Sequence, residues 1–129
     1  MKILILGANG FIGSNLSPYI LKHHDWDITA MDLQTHKITD CLQHPRFHFK
    51  IGDITKETAW VEQQIQACDV VLPLVAIANP AMYVTDPLGV FELDFEANLD
   101  IVKLCSAYKK THHLPLHFRS VRYEPRPAL

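Results

Sequence analysis

Three glycines spaced three apart open the case for chemistry: Gly7, Gly10 and Gly13, within Gly7-Ala8-Asn9-Gly10-Phe11-Ile12-Gly13. Glycines at such positions let the backbone turn tightly, approach a pyrophosphate and pack a helix against a strand. The start of the following helix then offers free N–H groups and a positive dipole end to an anion. A lone glycine turn also marks ordinary reversals, so its flanks decide. Ile3-Leu4-Ile5-Leu6 precedes it, a short unbroken apolar run expected of a parallel strand buried on both faces. After it, Phe11, Ile12, Leu16, Tyr19 and Ile20 recur at helical spacing. Strand, turn and helix stand in the order that a dinucleotide site needs.

Two carboxylates extend the pattern. Asp32 ends a second apolar segment, about 20 residues after the turn, where an acid accepts hydrogen bonds from a ribose 2′-OH and repels a 2′-phosphate. The bland alternative is a strand-end turn residue. Gly52-Asp53-Ile54 closes a third segment on the same edge, so Asp53 is placed to meet an adenine amino group. Its alternative is a helix N-cap for the residues that follow.

These residues must be held by alternating strands and helices. Asp27 to Asp32, Arg46 to Ile51 and Asp69 to Leu74 read as further strands, and Thr58 to Gln66 as a short helix. Pro18 sits inside the first helix, removes a backbone donor, and predicts a kink or a shortened helix. The segment from Thr85 or Asp86 to Lys110 predicts the longest helix. A polar cap and Pro87 suit its first turn, and Leu88, Phe91, Phe95, Leu99, Val102 and Cys105 would form one apolar stripe. Alternating β and α at this spacing implies an α/β fold of Rossmann type, a doubly wound parallel sheet with helices on both faces. Four to five strands of the dinucleotide-binding half are expected.

Composition removes other classes. The 129 residues suffice for one domain, 48% are hydrophobic, and the net charge of −2 argues against a polybasic nucleic-acid or membrane-surface binder. No apolar run approaches the roughly 18 residues needed to span a bilayer. The apolar start is too short for a signal peptide, and Gly7 and Asn9 interrupt it. Cys41, Cys68 and Cys105 are odd in number and widely spaced, so three free thiols in a reducing cytoplasm are expected rather than a disulfide framework or a zinc site.

The combination resembles the extended short-chain dehydrogenase/reductase superfamily of nucleotide-sugar epimerases, dehydratases and decarboxylases. Gly7 to Gly13 resembles its GxxGxxG turn, and Gly52-Asp53-Ile54 its adenine-contacting motif. Asp69-Val70-Val71-Leu72-Pro73-Leu74-Val75-Ala76-Ile77-Ala78-Asn79-Pro80 and Phe91-Glu92-Leu93-Asp94-Phe95-Glu96-Ala97-Asn98-Leu99 make a closer match. With His44-Pro45-Arg46-Phe47-His48-Phe49, they resemble the NAD-dependent UDP-glucuronate decarboxylase domain of the polymyxin-resistance aminoarabinose pathway, which modifies lipid A. The likeness runs from Ile3 to Lys110 and covers only the front of that domain.

The resemblance implies oxidation of UDP-glucuronic acid at C4″ by NAD, after which the β-keto acid loses CO2. The protein holds the nicotinamide against the sugar and moves protons. It implies NAD contacts from Gly7, Asn9, Gly10, Phe11, Ile12, Gly13, Asp32, Asp53, Ile54 and Leu74, and UDP-glucuronate contacts from Ala78 and Tyr83. For Tyr83 the alternative is an aromatic packing on the sheet rim. Asn98 fits a helix asparagine seen across the superfamily, the alternative being a solvated helix residue. The family oligomerises.

Residues 111–129 break this pattern. They hold three of the chain's four Arg, three of its eight His and three of its eight Pro, and no Gly. The family continues with a strand and a stretch resembling HIIFPSTSEVYGM, whose Thr-Ser-Glu supplies substrate contacts and a proton acceptor. A synonymous coding of Thr111 to Pro127, shifted by one base, reads HIIFPSTSEVYGMSRD. Residues 1–110 are therefore expected to be an incomplete NAD-binding domain, and 111–129 an out-of-frame tail from a one-base insertion near Lys110. His117, Phe118 and Arg119 stand where Thr-Ser-Glu would be, and the later Tyr-x-x-x-Lys pair is absent. No catalytic residue is assigned, and the cluster of His112, His113 and His117 is read as accidental rather than as a metal site. The expected function is that of the decarboxylase by descent, inactive as this chain. The alternatives are a non-catalytic dinucleotide-binding module or a truncated product without function.

Overall fold

Period-two alternation in the strands decides which side chains face which helix layer. The computed structural model describes residues 1–77 and 79–112, with the backbone alone at Thr111 and His112. The strands are β1 (Lys2–Leu6), β2 (Asp27–Asp32), β3 (Phe47–Ile51), β4 (Val70–Pro73) and β5 (Thr111–His112). They form one sheet in the order β3-β2-β1-β4-β5, with every neighbouring pair parallel. This is the Rossmann-type doubly wound order, in which the chain reverses direction across the sheet between β1 and β4.

Ile3 and Ile5 face one layer with Ile28, Ala30 and Phe47. That layer is covered by Ile20 and Leu21 of α1 (Phe11–His23) and by Ile38 and Cys41 of the β2–β3 connection. Leu4 and Leu6 face the other layer with Met31 and Val71. Val61 and Ile65 of α2 (Thr58–Ala67) and Ile101 and Cys105 of α5 (Asn98–Ala107) cover it. Leu4, Ile5 and Leu6 are wholly buried, each contributing about 2 kcal/mol by removal from water. Burial on both faces explains the unbroken apolar run.

Helix α1 is not shortened at Pro18 and runs 13 residues through it. The ring lies on the exposed side, so the Ser14 carbonyl that loses its partner can turn to water. The expected apolar face of α1 is corrected as well. Gly13, Ser17, Ile20 and Leu21 are buried, whereas Phe11, Ile12 and Tyr19 are exposed. Two small residues let the helix approach the sheet closely, and Phe11 and Ile12 sit at its first turn beside the glycines.

The long C-terminal helical segment is also more broken than its period suggested. After α3 (Pro80–Thr85), α4 (Pro87–Phe91) leads into a π-helical turn, Glu92–Ala97, and then α5. Asp86 caps α4 by accepting from the Gly89 N–H at 3.1 Å, and Pro87 occupies the first turn, as expected. The π-turn inserts extra chain per turn and rotates the pattern. Val90, Ile101 and Cys105 face the core, while Leu88, Phe91, Phe95 and Leu99 are exposed. The single stripe expected over these residues is therefore split.

Thr111 and His112 pair with Val70 and Val71, so β4 does not end the sheet there. Among the described residues no helix is long and apolar enough to cross a membrane. The expectations placed on Ala78 and on residues 113–129 lie outside the described residues.

Candidate functional site

Gly7 ends β1 with φ +94°, a conformation that side chains disfavour. A Cβ there would also stand 2.9 Å from the Leu74 carbonyl carbon and the Val75 nitrogen. The turn after β1 and the loop after β4 thus press together at the point where strand order reverses. Gly13 is required by packing alone, since a Cβ would stand 2.7 Å from backbone atoms of Gly7 and Ala8. Gly10 differs from both. Its φ is −74°, and the nearest atom to an added Cβ is the Gly7 carbonyl oxygen at 3.4 Å. Among the described residues no neighbour demands glycine at position 10, and the space beside it is open.

Gly10 is the N-cap of α1, no side chain caps the helix, and no acid lies in its first turn. The first-turn N–H groups have no acceptor within the helix. This positive end suits a pyrophosphate, and a side-chain cap would have competed with it.

Asp32 is anchored beside the turn. One oxygen accepts from the Asn9 N–H at 2.8 Å and the other from the Leu33 N–H at 2.7 Å. Each carboxylate oxygen retains a lone pair for a ribose hydroxyl. The Asn9 side chain, only 6% exposed, faces away from the turn's mouth. Its oxygen accepts from the Lys37 N–H at 2.7 Å, and its amide lies 3.2 Å from His36 Nδ1. Asn9 therefore ties the glycine turn to the β2–β3 connection, which sequence spacing did not reveal.

Asp53 is occupied locally. Its Oδ1 accepts from the Thr55 hydroxyl at 2.6 Å and the Thr55 N–H at 2.9 Å. The hydroxyl bond, and then the N–H bond, hold its carboxyl below the ordinary aspartate value, so it is an anion near neutrality. It caps a turn that precedes α2, and its other oxygen lies at the same strand-end edge as Asp32. The Ile54 side chain is 8% exposed and packs in the core with Leu6 and Met31, so it braces this edge from below. Leu33 and Ile51 flank the two aspartates as exposed apolar surface.

On the other side of the turn, the Leu74 N–H donates to the Leu6 carbonyl at 2.7 Å, which extends the β1–β4 ladder. Tyr83 lies on α3, 51% exposed, and its hydroxyl donates to the Ile77 carbonyl at 3.0 Å. Asp94 and Asn98 reach the same loop, and the sequence did not single out Asp94. All three cysteines are buried free thiols, and burial raises Cys41 and Cys105 and pushes Cys68 up to about 11. No group of His, Cys, Asp and Glu that could hold a metal occurs among the described residues.

The geometry thus fits a dinucleotide whose pyrophosphate lies on the Gly7–Gly13 turn and whose adenosine half runs toward β2 and β3. The chain is 55% identical to PbgP3 protein from Burkholderia pseudomallei, with a TM-score of 0.84, covering 88% of this chain and 34% of that one. It is 26% identical to a UDP-glucuronic acid 4-epimerase from Bacillus cereus, solved with UDP-glucuronic acid and NAD. That match has a TM-score of 0.75 and covers 89% of this chain and 38% of the epimerase. A dTDP-glucose 4,6-dehydratase from Streptomyces venezuelae, 16% identical, shares the fold with a TM-score of 0.77 over 85% of this chain and 37% of its own. The chain spans little more than a third of the length of these structures. Residues 3–121 match a family that is NAD-dependent, and the match continues past residue 110. The chain belongs to the NAD dependent epimerase/dehydratase family.

Proposed function

We propose that this chain is the NAD-binding front of a nucleotide-sugar enzyme that decarboxylates UDP-glucuronate oxidatively, and that the 129-residue chain binds NAD without turnover. The observation that carries the NAD part is the clearance over Gly10, at an uncapped helix start beside an anchored Asp32. The Gly7–Gly13 turn, with Phe11 and Ile12 at its mouth, holds the pyrophosphate. Asp32 binds the ribose hydroxyls, Asp53 faces the adenine amino group, and Leu74 lies along the nicotinamide half. When bound, NAD supplies the acceptor for the hydride from the sugar C4″.

The sugar assignment rests on the resemblance over residues 69–99. It is supported by a relative solved with UDP-glucuronic acid, to which this chain is 26% identical. Ala78 and Tyr83 are the sugar-nucleotide contacts proposed. The pathway proposed is lipid A modification, and the compartment is the cytoplasm. The lack of turnover rests on the chain's own residues. His117, Phe118 and Arg119 stand in the sequence where the resemblance puts Thr-Ser-Glu.

Incubation of the chain with NAD and UDP-glucuronate, followed at the NADH absorbance and by CO2 release, tests this. NAD binding with no NADH and no CO2 is expected. Released CO2 would overturn the inactivity, and absent NAD binding would overturn the site itself. The out-of-frame reading of residues 111–129 is tested by resequencing the coding DNA from Lys103 onward. A one-base change restoring HIIFPSTSEVYG and a long frame would support it. A frame as given, with unrelated DNA beyond, would make a small dinucleotide-binding module the better reading.

A further inference from the structure

The loop after β4 forms the second wall of the crevice between β1 and β4, since Gly7 packs directly on Leu74 and Val75. Beyond the Leu74 N–H, which donates to the Leu6 carbonyl at 2.7 Å, no strand pairing fixes the described residues of this loop. Side chains from the following helical segment do so instead. The Ile77 N–H donates to Asp94 Oδ1 at 2.7 Å, and the Ile77 carbonyl accepts from the Tyr83 hydroxyl at 3.0 Å. The Val75 carbonyl accepts from the Asn98 amide at 3.1 Å. Asp94 lies within the π-turn and Asn98 directly after it. The two side chains are four residues apart and reach two loop peptides that are two residues apart. π-turns recur at functional sites and cost helix regularity. Here the turn points an acid at the loop.

We infer that Asp94 is a positioning residue, which holds the Ile77 peptide and thereby sets the wall that receives the nicotinamide half of the dinucleotide. This rests on the NAD reading above. The adenosine half lies toward β2 and β3, at Asp32 and Asp53, so the remainder of the ligand must cross the β1–β4 crevice and meet residues 74–77. A carboxylate accepting a backbone N–H makes a strong, short bond that fixes both partners.

The test uses the whole chain as wild type, Asp94→Ala and Asp94→Asn, with NAD and ADP titrated by calorimetry and Ile77 amide exchange followed by NMR. Asp94→Ala is expected to weaken NAD about tenfold, to leave ADP within twofold, and to speed Ile77 exchange at least tenfold with β4 amides unchanged. Asp94→Asn keeps an acceptor oxygen and should restore NAD affinity and Ile77 protection. Equal losses of NAD and ADP, unchanged NAD affinity, or unchanged Ile77 exchange in Asp94→Ala would overturn the inference. Wild-type chain that binds neither NAD nor ADP would instead show that the NAD reading has failed, and the inference with it.

Discussion

Alanine at Gly10 and alanine at Gly13 should have opposite effects, although the two glycines share one turn. At Gly10 the backbone is extended with φ −74°, so alanine is unstrained there, and its methyl would meet only the Gly7 oxygen at 3.4 Å. Alanine is a poorer N-cap than glycine by about 0.5–1 kcal/mol. It also lowers unfolded-chain entropy, which stabilises by about 0.4–1 kcal/mol. The terms offset, and the melting temperature should stay within about 2 °C. The same methyl would fill the clearance meant for a pyrophosphate. Overpacking costs about 1–3 kcal/mol, which corresponds to roughly 5- to 150-fold in Kd for NAD. At Gly13 the methyl would stand 2.7 Å from the Ala8 Cα, the Ala8 oxygen and the Gly7 oxygen, none of which can swing away. A loss near 2 kcal/mol is expected, or about 8 °C of melting temperature. Thermal melts and calorimetric NAD titrations of both variants decide the matter. Gly10→Ala that binds NAD like the wild type would refute the assignment of that space to the ligand.

Other consequences follow from single residues. The Arg46 guanidinium donates to the carbonyls of Leu21, His24 and Trp26, at 2.7, 2.5 and 2.9 Å, and closes the end of α1. Arg46→Ala should cost about 2 kcal/mol in urea unfolding, and Arg46→Lys should recover only part, because one ammonium cannot span three acceptors. Asp53 should titrate below 3.8 by NMR, and Thr55→Val should raise it, because the hydroxyl bond is its chief cause. With a lowered folded value, the turn's contribution to stability is full above the unfolded aspartate value and is lost as pH falls through the lowered one. Cys41, Cys68 and Cys105 should resist a thiol reagent at pH 8 in the folded chain, Cys68 most of all, and react together in guanidinium.

Much of this was legible because the central strands carry little but packing information. Ile3 to Leu6 and Val70 to Leu72 are apolar on both faces, and only a doubly covered parallel sheet uses such runs. Gly7 and Gly13 were legible because backbone geometry at one sheet edge requires them, and Asp32 was legible as the acid that ends β2 beside that turn. The first and last helices were misread for a shared reason. A stripe at ideal α spacing assumes that the helix meets the sheet along its whole length. Phe11 and Ile12 instead lie at the tip of α1, and the π-turn at Glu92–Ala97 breaks the register between Leu88 and Phe91 before it and Leu99 after it. Helical spacing also hid Ser17 as a contact residue, because close approach to a sheet selects small residues rather than apolar ones. The long-range bonds of Asn9 with His36 and Lys37, and of Asp94 with Ile77, have no local signature.

The most direct test of the site is a calorimetric comparison of NAD with NADP on the 129-residue chain, with Asp32→Ala as the third titration. NAD should bind, and NADP should bind at least roughly tenfold more weakly, because Asp32 lies where a 2′-phosphate would bring like charge. Asp32→Ala should weaken NAD and narrow the gap between the two. Absent heat with NAD, or equal affinity for NAD and NADP in the wild type, would contradict a ribose held by Asp32 beside the Gly7–Gly13 turn.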